Sequence, residues 1–388
     1  MPGFEVFGEE ERQAINELFD LNGGVLFAHG FDAMRNGIYR VREFEAAFAD
    51  RMGVPHAQAV SSCTAALKVA LEAMGVGPGD EVIIPCFTFV ATCEAVIQTG
   101  ATPVIVNVDE TMNMDPASLE AAITDKTKVV IPVHMMGAPA DMNTIMAIAE
   151  KHGLLVLEDT AQGCGGTYKG KALGTIGHMG AYSFDAGKVM ITGEGGMVVT
   201  RDKDLYIRAR AYHDHGHEYS KTVGRGEEGA ICDGFNFRMT ELQGAIGLVQ
   251  LSKLDMIIKR QRENKRKLMN ILKELPFRFR KILDPEGELG DAIVFYLGSR
   301  SDAARFVKGI QKEGLGTKNV PDAMRWHFAR HWQHIFNKYG WYRETWQTQW
   351  QKSADLLERA VALPVMVKMT DEQIEGIGEK LLRVGREF

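Results

Sequence analysis

From Gln58 onward the chain alternates short apolar runs with stretches whose apolar residues recur at helical spacing. AQAVSS, EVIIP, TPVIVNV, KVVIPVH and LLVLED read as strands, while TAALKVALEAM, TCEAVIQTG, PASLEAAIT and MNTIMAIAEKHG read as helices. This order predicts an α/β fold whose mostly parallel sheet is covered on both faces. The glycine-rich GVGPGD, Gly75 to Asp80, closes a helix and leads into a strand. A dinucleotide-binding loop does the reverse, so that reading fails. After Met239 the strand pattern stops, and TELQGAIGLVQLSKLDMIIKRQRENKRKLMNILKEL predicts one long helix around 239–275. That helix would join a large domain, 1–250, to a smaller α+β domain, 251–388, in which AIVFYLG is a strand.

Composition narrows the class. With 388 residues, 45% hydrophobic and 25% charged, the chain can build two folded units. A net charge of -6 gives no electrostatic reason to expect nucleic acid. The basic cluster on the long helix (Lys259, Arg260, Arg262, Lys265, Arg266, Lys267) is interrupted by Glu263 and reads as a solvated face. Five cysteines without a CxxC pair predict reduced thiols and a cytoplasmic setting. The opening MPGFEVFGEEERQ carries no export signal, and the longest apolar run, Val82 to Cys93, is too short to cross a membrane.

Candidate chemistry concentrates between Val156 and Gly196. Asp159 ends the apolar run LLVLED, which places its carboxylate at the carboxyl edge of the sheet, where open α/β folds bind ligands. Lys188 follows in a glycine-flanked loop. A lysine to hold an aldehyde, a carboxylate to keep a pyridine nitrogen protonated and donors for a phosphate are what pyridoxal phosphate requires. Burial beside a cationic ring is expected to lower the Lys188 pKa from about 10.4 and fit it for nucleophilic attack and proton transfer. SSCTAAL, Ser61 to Leu67, places Ser62, Cys63 and Thr64 at the start of a helix, whose free N–H groups and dipole favour an anion.

EDTAQ (Glu158 to Gln162), SFDAGK (Ser183 to Lys188) and TGEGG (Thr192 to Gly196) together resemble the DegT/StrS family of sugar aminotransferases. SSCTAAL, GDEVIIPCFTFVAT and GFNFRMTELQ extend that resemblance over most of the chain. It implies a fold-type I pyridoxal-phosphate transferase with Lys188 forming the Schiff base and Asp159 on the pyridine nitrogen. It also implies Gln162 near the ring hydroxyl, Ser183 and the Ser62 to Thr64 turn on the phosphate, and Phe89 stacked on the ring. Asn236 would reach the phosphate of a neighbouring subunit, which makes the expected assembly a homodimer with shared sites. Two positions depart from the family pattern: Cys63 stands where a glycine is usual, and Asp185 where a histidine is usual.

All five tryptophans fall between Trp326 and Trp350. This segment reads either as aromatic core of the small domain or as a lip over a sugar pocket. His327 and His331 have metal-ligand spacing but lack the accompanying glutamate, so no metal is expected. MPGFEVFGEEE, FDAMRN and the WH followed by HWQHI resemble the subgroup that makes 8-amino-3,8-dideoxy-manno-octulosonate, a lipopolysaccharide sugar. That likeness implies glutamate as donor, an aldehyde of an octulosonate acid as acceptor, and Arg35, Arg325 and His327 as candidates for its carboxylate. The alternative acceptor is a nucleotide-linked 3- or 4-keto-hexose. A sugar dehydratase on this fold would lack Lys188, and a non-catalytic regulator would have no need of Asp159, Gln162, Ser183 and Lys188 together.

Overall fold

The structure is a computed structural model that describes residues 2–340, 346 and 348–388. Its centre is a seven-stranded sheet built from β1 (His56–Val60), β2 (Glu81–Pro85), β3 (Thr102–Val106), β4 (Thr127–Val130), β5 (Leu155–Asp159), β8 (Met179–Ser183) and β9 (Gly196–Thr200). The two missing numbers are a small hairpin, β6 (Thr167–Tyr168) and β7 (Lys171–Ala172). Strand order is β1-β9-β8-β5-β4-β2-β3, and β9 alone among these seven runs antiparallel to its neighbours. β8 and β9 are buried at every position, and β2 and β5 at all but the first, as expected for strands covered on both faces.

A second sheet is formed by β10 (Arg278–Phe279), β11 (Ala292–Tyr296) and β12 (Ala360–Pro364), all antiparallel. One helix, Glu241–Leu272, runs past both sheets. Thr240 caps it in a capping box with Gln243. Leu254 and Ile257 belong to the core around Phe44, Phe48 and Tyr182, whereas Leu268 and Leu272 belong to the core around Phe295 and Phe306. At 32 residues and about 1.5 Å per residue it is long enough to serve both cores.

The aromatic segment fits neither expectation in full. Backbone bonds from Thr88 N–H to the His327 carbonyl (2.9 Å), Val90 N–H to that of Trp326 (2.9 Å) and Ala329 N–H to that of Cys86 (2.9 Å) lay it beside the loop after β2. Trp332 is fully buried and packs in one cluster with Phe87, Val108 and the inner faces of β11 and β12. The Trp350 indole N–H donates to the Ile105 carbonyl on β3. Trp332, Phe336 and Trp350 are therefore core shared by the two sheets, with Trp326 exposed at its margin; Trp341 lies outside the described residues. Among the described residues no helix is long and apolar enough to cross a membrane.

Candidate active site

β5 carries Glu158 and Asp159 to the carboxyl edge of the sheet, and alternation along the strand sends them to opposite sides. Glu158 accepts from the amides of Gly174, Ile176 and Gly177 and pairs with His134 Nε2 at 2.9 Å. His134 Nδ1 accepts from the Ala140 amide, which leaves the ring proton on Nε2, directed at Glu158. Asp159 lines a cavity of about 110 Å³ with Ser62, Cys63, Thr64, Phe89, Ser183 and Lys188. Burial pushes the Asp159 carboxyl up from its usual range; the Thr92 hydroxyl, 2.8 Å from Oδ2, and the Ala161 amide pull it back down. Thr88 in turn meets Thr92 hydroxyl to hydroxyl at 2.7 Å.

The far wall of the cavity begins the Cys63–Ala73 helix. Ser62 is its N-cap, and its Oγ accepts from the Ala65 amide at 3.1 Å. The amides of Cys63 and Thr64 precede the first intrahelical bonds, which makes this turn a site for an anion. Gly196, at the start of β9, lies so close that a Cβ there would be 2.4 Å from the Ser62 carbonyl oxygen. Burial and the nearby Asp159 hold the Cys63 thiol protonated, so backbone, not thiolate, faces the cavity. Phe89 is 46% exposed, unlike a core phenylalanine, and presents its ring to the open space.

A second lobe of about 230 Å³ continues from the first, sharing Phe89, Gln162, Asp185 and Lys188 and adding Asp291, Lys318, Asn319 and His327. Gln162 Oε1 accepts from the Met136 amide at 2.9 Å, which leaves its NH₂ free to donate. His327 is buried with its ring 5.3 Å from that of Phe89; burial lowers its pKa, so the imidazole is neutral near pH 7. Asp185 Oδ1 accepts from the Gly187 amide, bracing the loop that bears Lys188. A wider cleft of about 750 Å³ along the Glu241–Leu272 helix holds none of these groups; it is lined by acids as well as by Arg262, Lys265 and Arg266.

Arg35 requires correction. Its side chain is fully buried, its guanidinium lies 3.1 Å from the equally buried Glu241, and it donates to the carbonyls of Ile38 and Gly30. It anchors a loop and is not available to a substrate. Arg325 is exposed and lines neither lobe, and the same holds for Asn236, whose Oδ1 accepts from the Arg238 amide at 3.4 Å. Of the three proposed substrate contacts the structure brings only His327 to the cavity.

The sequence profile of the DegT/DnrJ/EryC1/StrS aminotransferase family matches residues 31–382. The chain belongs to that family. A GDP-perosamine synthase from Caulobacter vibrioides is 47% identical over 214 residues, 55% of this chain and 56% of that one. The UDP-N-acetyl-3-dehydro-alpha-D-glucosamine 3-aminotransferase of Acidithiobacillus ferrooxidans is 36% identical over 88% of each chain. The X-ray structure of an aminotransferase from Psychrobacter cryohalolentis superimposes with a TM-score of 0.86 at 30% identity, covering 98% of both.

For a family member read from sequence alone, the residues missed are Thr92, Asp291, Lys318 and Asn319. Thr88 and Thr92 are four apart within CFTFVAT, a spacing that one helical turn makes adjacent, so that pair was visible. No local signal marks the other three.

Proposed function

We propose that this protein transfers an amino group from glutamate to the carbonyl of a sugar, using pyridoxal phosphate held between Lys188 and Asp159. The observation that carries the reading is the meeting, in one small cavity, of a buried strand-end carboxylate, a lysine, an exposed aromatic face and a helix N-terminus. That donor set fits the cofactor part by part. Asp159 would keep the pyridine nitrogen protonated, the Ser62 to Thr64 turn and Ser183 would bind the phosphate, and Phe89 would cover the ring. Gln162 would donate to the ring hydroxyl, and Lys188 would be the covalent attachment point. When bound, the cofactor supplies the electron sink that stabilises a carbanion next to nitrogen.

The chain's own residues supply the rest. Lys188 Nζ moves the proton that the reacting carbon loses and regains. Burial raises the Asp159 pKa, and Thr92 and the Ala161 amide oppose that rise by bonding to the charged form. Neutral His327, whose Nδ1 donates to the Ala323 carbonyl at 2.9 Å, keeps Nε2 as an acceptor for a substrate hydroxyl without adding charge. The chain works as a homodimer in the cytoplasm: Asn236 is exposed next to Phe235, itself 62% exposed, as a residue reaching into a neighbour would be, and all five cysteines are free thiols.

A nucleotide-linked keto-hexose is the acceptor class that the relatives' names favour. An octulosonate aldehyde is the second reading, favoured by where two of its marker segments lie. The opening PGFE places the Gly3 amide 3.0 Å from the Lys188 carbonyl, and the WH segment pairs beside Phe89. A lipopolysaccharide role belongs to that reading.

The test is spectroscopic. Purified protein should be yellow, glutamate should bleach the band, and a keto-sugar should restore it; Lys188→Ala should abolish the cycle. Full bleaching and recovery in Lys188→Ala would contradict the assignment.

A further inference from the structure

Lys188 stands on residues 184–195, the stretch between β8 and β9, which forms neither helix nor strand. Its local bonds run within one turn: the Lys188 amide donates to the Asp185 carbonyl at 3.0 Å, and the Gly187 amide to Asp185 Oδ1 at 2.8 Å. Bonds of this kind shape the turn but do not fix its distance from Asp159. Two anchors from outside the stretch act on it there. The Gly3 amide donates to the Lys188 carbonyl at 3.0 Å, and the Ile191 amide donates to Gln250 Oε1 at 3.2 Å.

Both anchors belong to one assembly. Gln250 is fully buried on the Glu241–Leu272 helix, and its Nε2 donates to Glu11 Oε1 at 2.7 Å. Glu11, equally buried, caps its own helix through the Gly8 amide and takes a second bond from Lys253 Nζ, which also donates to the Val6 carbonyl. Glu5 Oε2 accepts from the amides of Val367 and Lys368, which ties the same opening segment to the chain after β12. Gly3 has no room to spare: a Cβ there would lie 2.9 Å from Ile191 Cγ2 and 3.0 Å from the Val189 carbonyl oxygen. The Lys188 loop therefore rests on residues 3–11. Apolar packing alone is non-directional, whereas a buried amide bonded to both partners fixes how they stand against each other.

We infer that residues 3–11 and Gln250 position Lys188, setting where its Nζ stands relative to Asp159, with Gly3 and Gln250 as the positioning residues. The inference rests on the transamination reading, in which Lys188 serves both halves of the cycle. A reacting group must be held to within about 0.5 Å, and a misplacement of about 1 Å costs on the order of 10²-fold in rate. Neither Gly3 nor Gln250 lines the cavity, so their loss moves the lysine and spares the groups that bind.

The experiment separates covalent capture from binding in cofactor-free protein. Pyridoxal phosphate reports capture: the Lys188 amine adds to the aldehyde carbon, one water leaves, and the product is read as the yellow band and trapped with borohydride. Pyridoxamine phosphate, which has no aldehyde, reports binding alone. In Gln250→Met, and independently in Gly3→Ala, capture should slow at least tenfold while the Kd for pyridoxamine phosphate stays within about twofold. Bleaching by glutamate and recovery with a keto-sugar should slow by equal factors at saturation, with half-saturating concentrations unchanged. Phe4→Ala, which alters an exposed side chain of the same turn, should match wild type. Wild-type capture rates in both variants would overturn the inference, as would a parallel loss of capture and of pyridoxamine phosphate binding. Wild-type protein that captures no pyridoxal phosphate would instead overturn the transamination reading.

Discussion

Replacing Arg35 by Met tests whether this side chain is scaffold or substrate contact. Both members of the Arg35 and Glu241 pair are fully buried, at 3.1 Å. Removing one partner of such a pair typically costs about 3 to 5 kcal/mol, because the survivor is left charged and dry. Here the survivor keeps some support: the amides of Arg40 and Val41 still donate to Glu241, which is also the first residue of a 32-residue helix whose positive end favours an anion. Against that, Arg35 also gives up bonds to the Ile38 and Gly30 carbonyls, each about 1 kcal/mol, and its stacking 3.8 Å over Tyr39. The expected loss is therefore about 3 to 4 kcal/mol. The assay is urea unfolding of cofactor-free protein, since bound cofactor would stabilise the variants unequally. Arg35→Met, Glu241→Gln and the double variant complete a cycle, and the double should cost at least about 2 kcal/mol less than the sum of the singles. An Arg35→Met protein with wild-type unfolding and a tenfold higher KM for the acceptor would refute the structural assignment.

Two further predictions concern the cofactor cavity. Gly196→Ala should weaken pyridoxal phosphate binding at least tenfold, measured by titrating apoprotein, because the new Cβ meets the Ser62 carbonyl and the Cys63 amide and must displace the anion-binding turn. Thr92→Val removes the hydroxyl that holds the Asp159 carboxyl down against burial, so the carboxylate gains a proton at higher pH than in wild type. Cofactor affinity, which needs the charged form, should then fall away at a higher pH as the solution is acidified, with Thr92→Ser behaving as wild type; superimposable profiles would remove Thr92 from this role.

The fold class and the core of the site could be read from the sequence because both are local. Short apolar runs and helical stretches alternate from Gln58 to Asp159, and Asp159, Ser183 and Lys188 lie within thirty residues, the first two at the ends of the paired parallel strands β5 and β8 and the third on the loop that follows β8. The likeness of FDAMRN to one subgroup makes Arg35 a substrate candidate, while nothing local names its partner Glu241, which enters from a distant helix. Asp291 and Lys318 were invisible for the same reason: strand-edge pairing with β12 brings them to a cavity formed by loops of the other sheet. The tryptophan segment packs between both sheets rather than within the smaller domain alone, since a cluster of aromatics signals burial but not which surface covers it.

Glu158 and Asp159 show why neighbours in one motif carry different work. A carboxylate that accepts three backbone amides and a neutral imidazole has filled its bonding capacity and is inert, but it fixes the loops at 134–140 and 174–177 around the strand end. Asp159, one residue on, has one bond to each oxygen and room for a stronger partner. A rigid strand end holding an incompletely satisfied carboxylate is an arrangement in which a cationic ring nitrogen gains a charge-assisted bond, about 1.5 to 3 kcal/mol, with almost no reorganisation. Under the proposed function Asp159 would therefore meet the ring nitrogen from a position fixed by Glu158, on the other side of the strand.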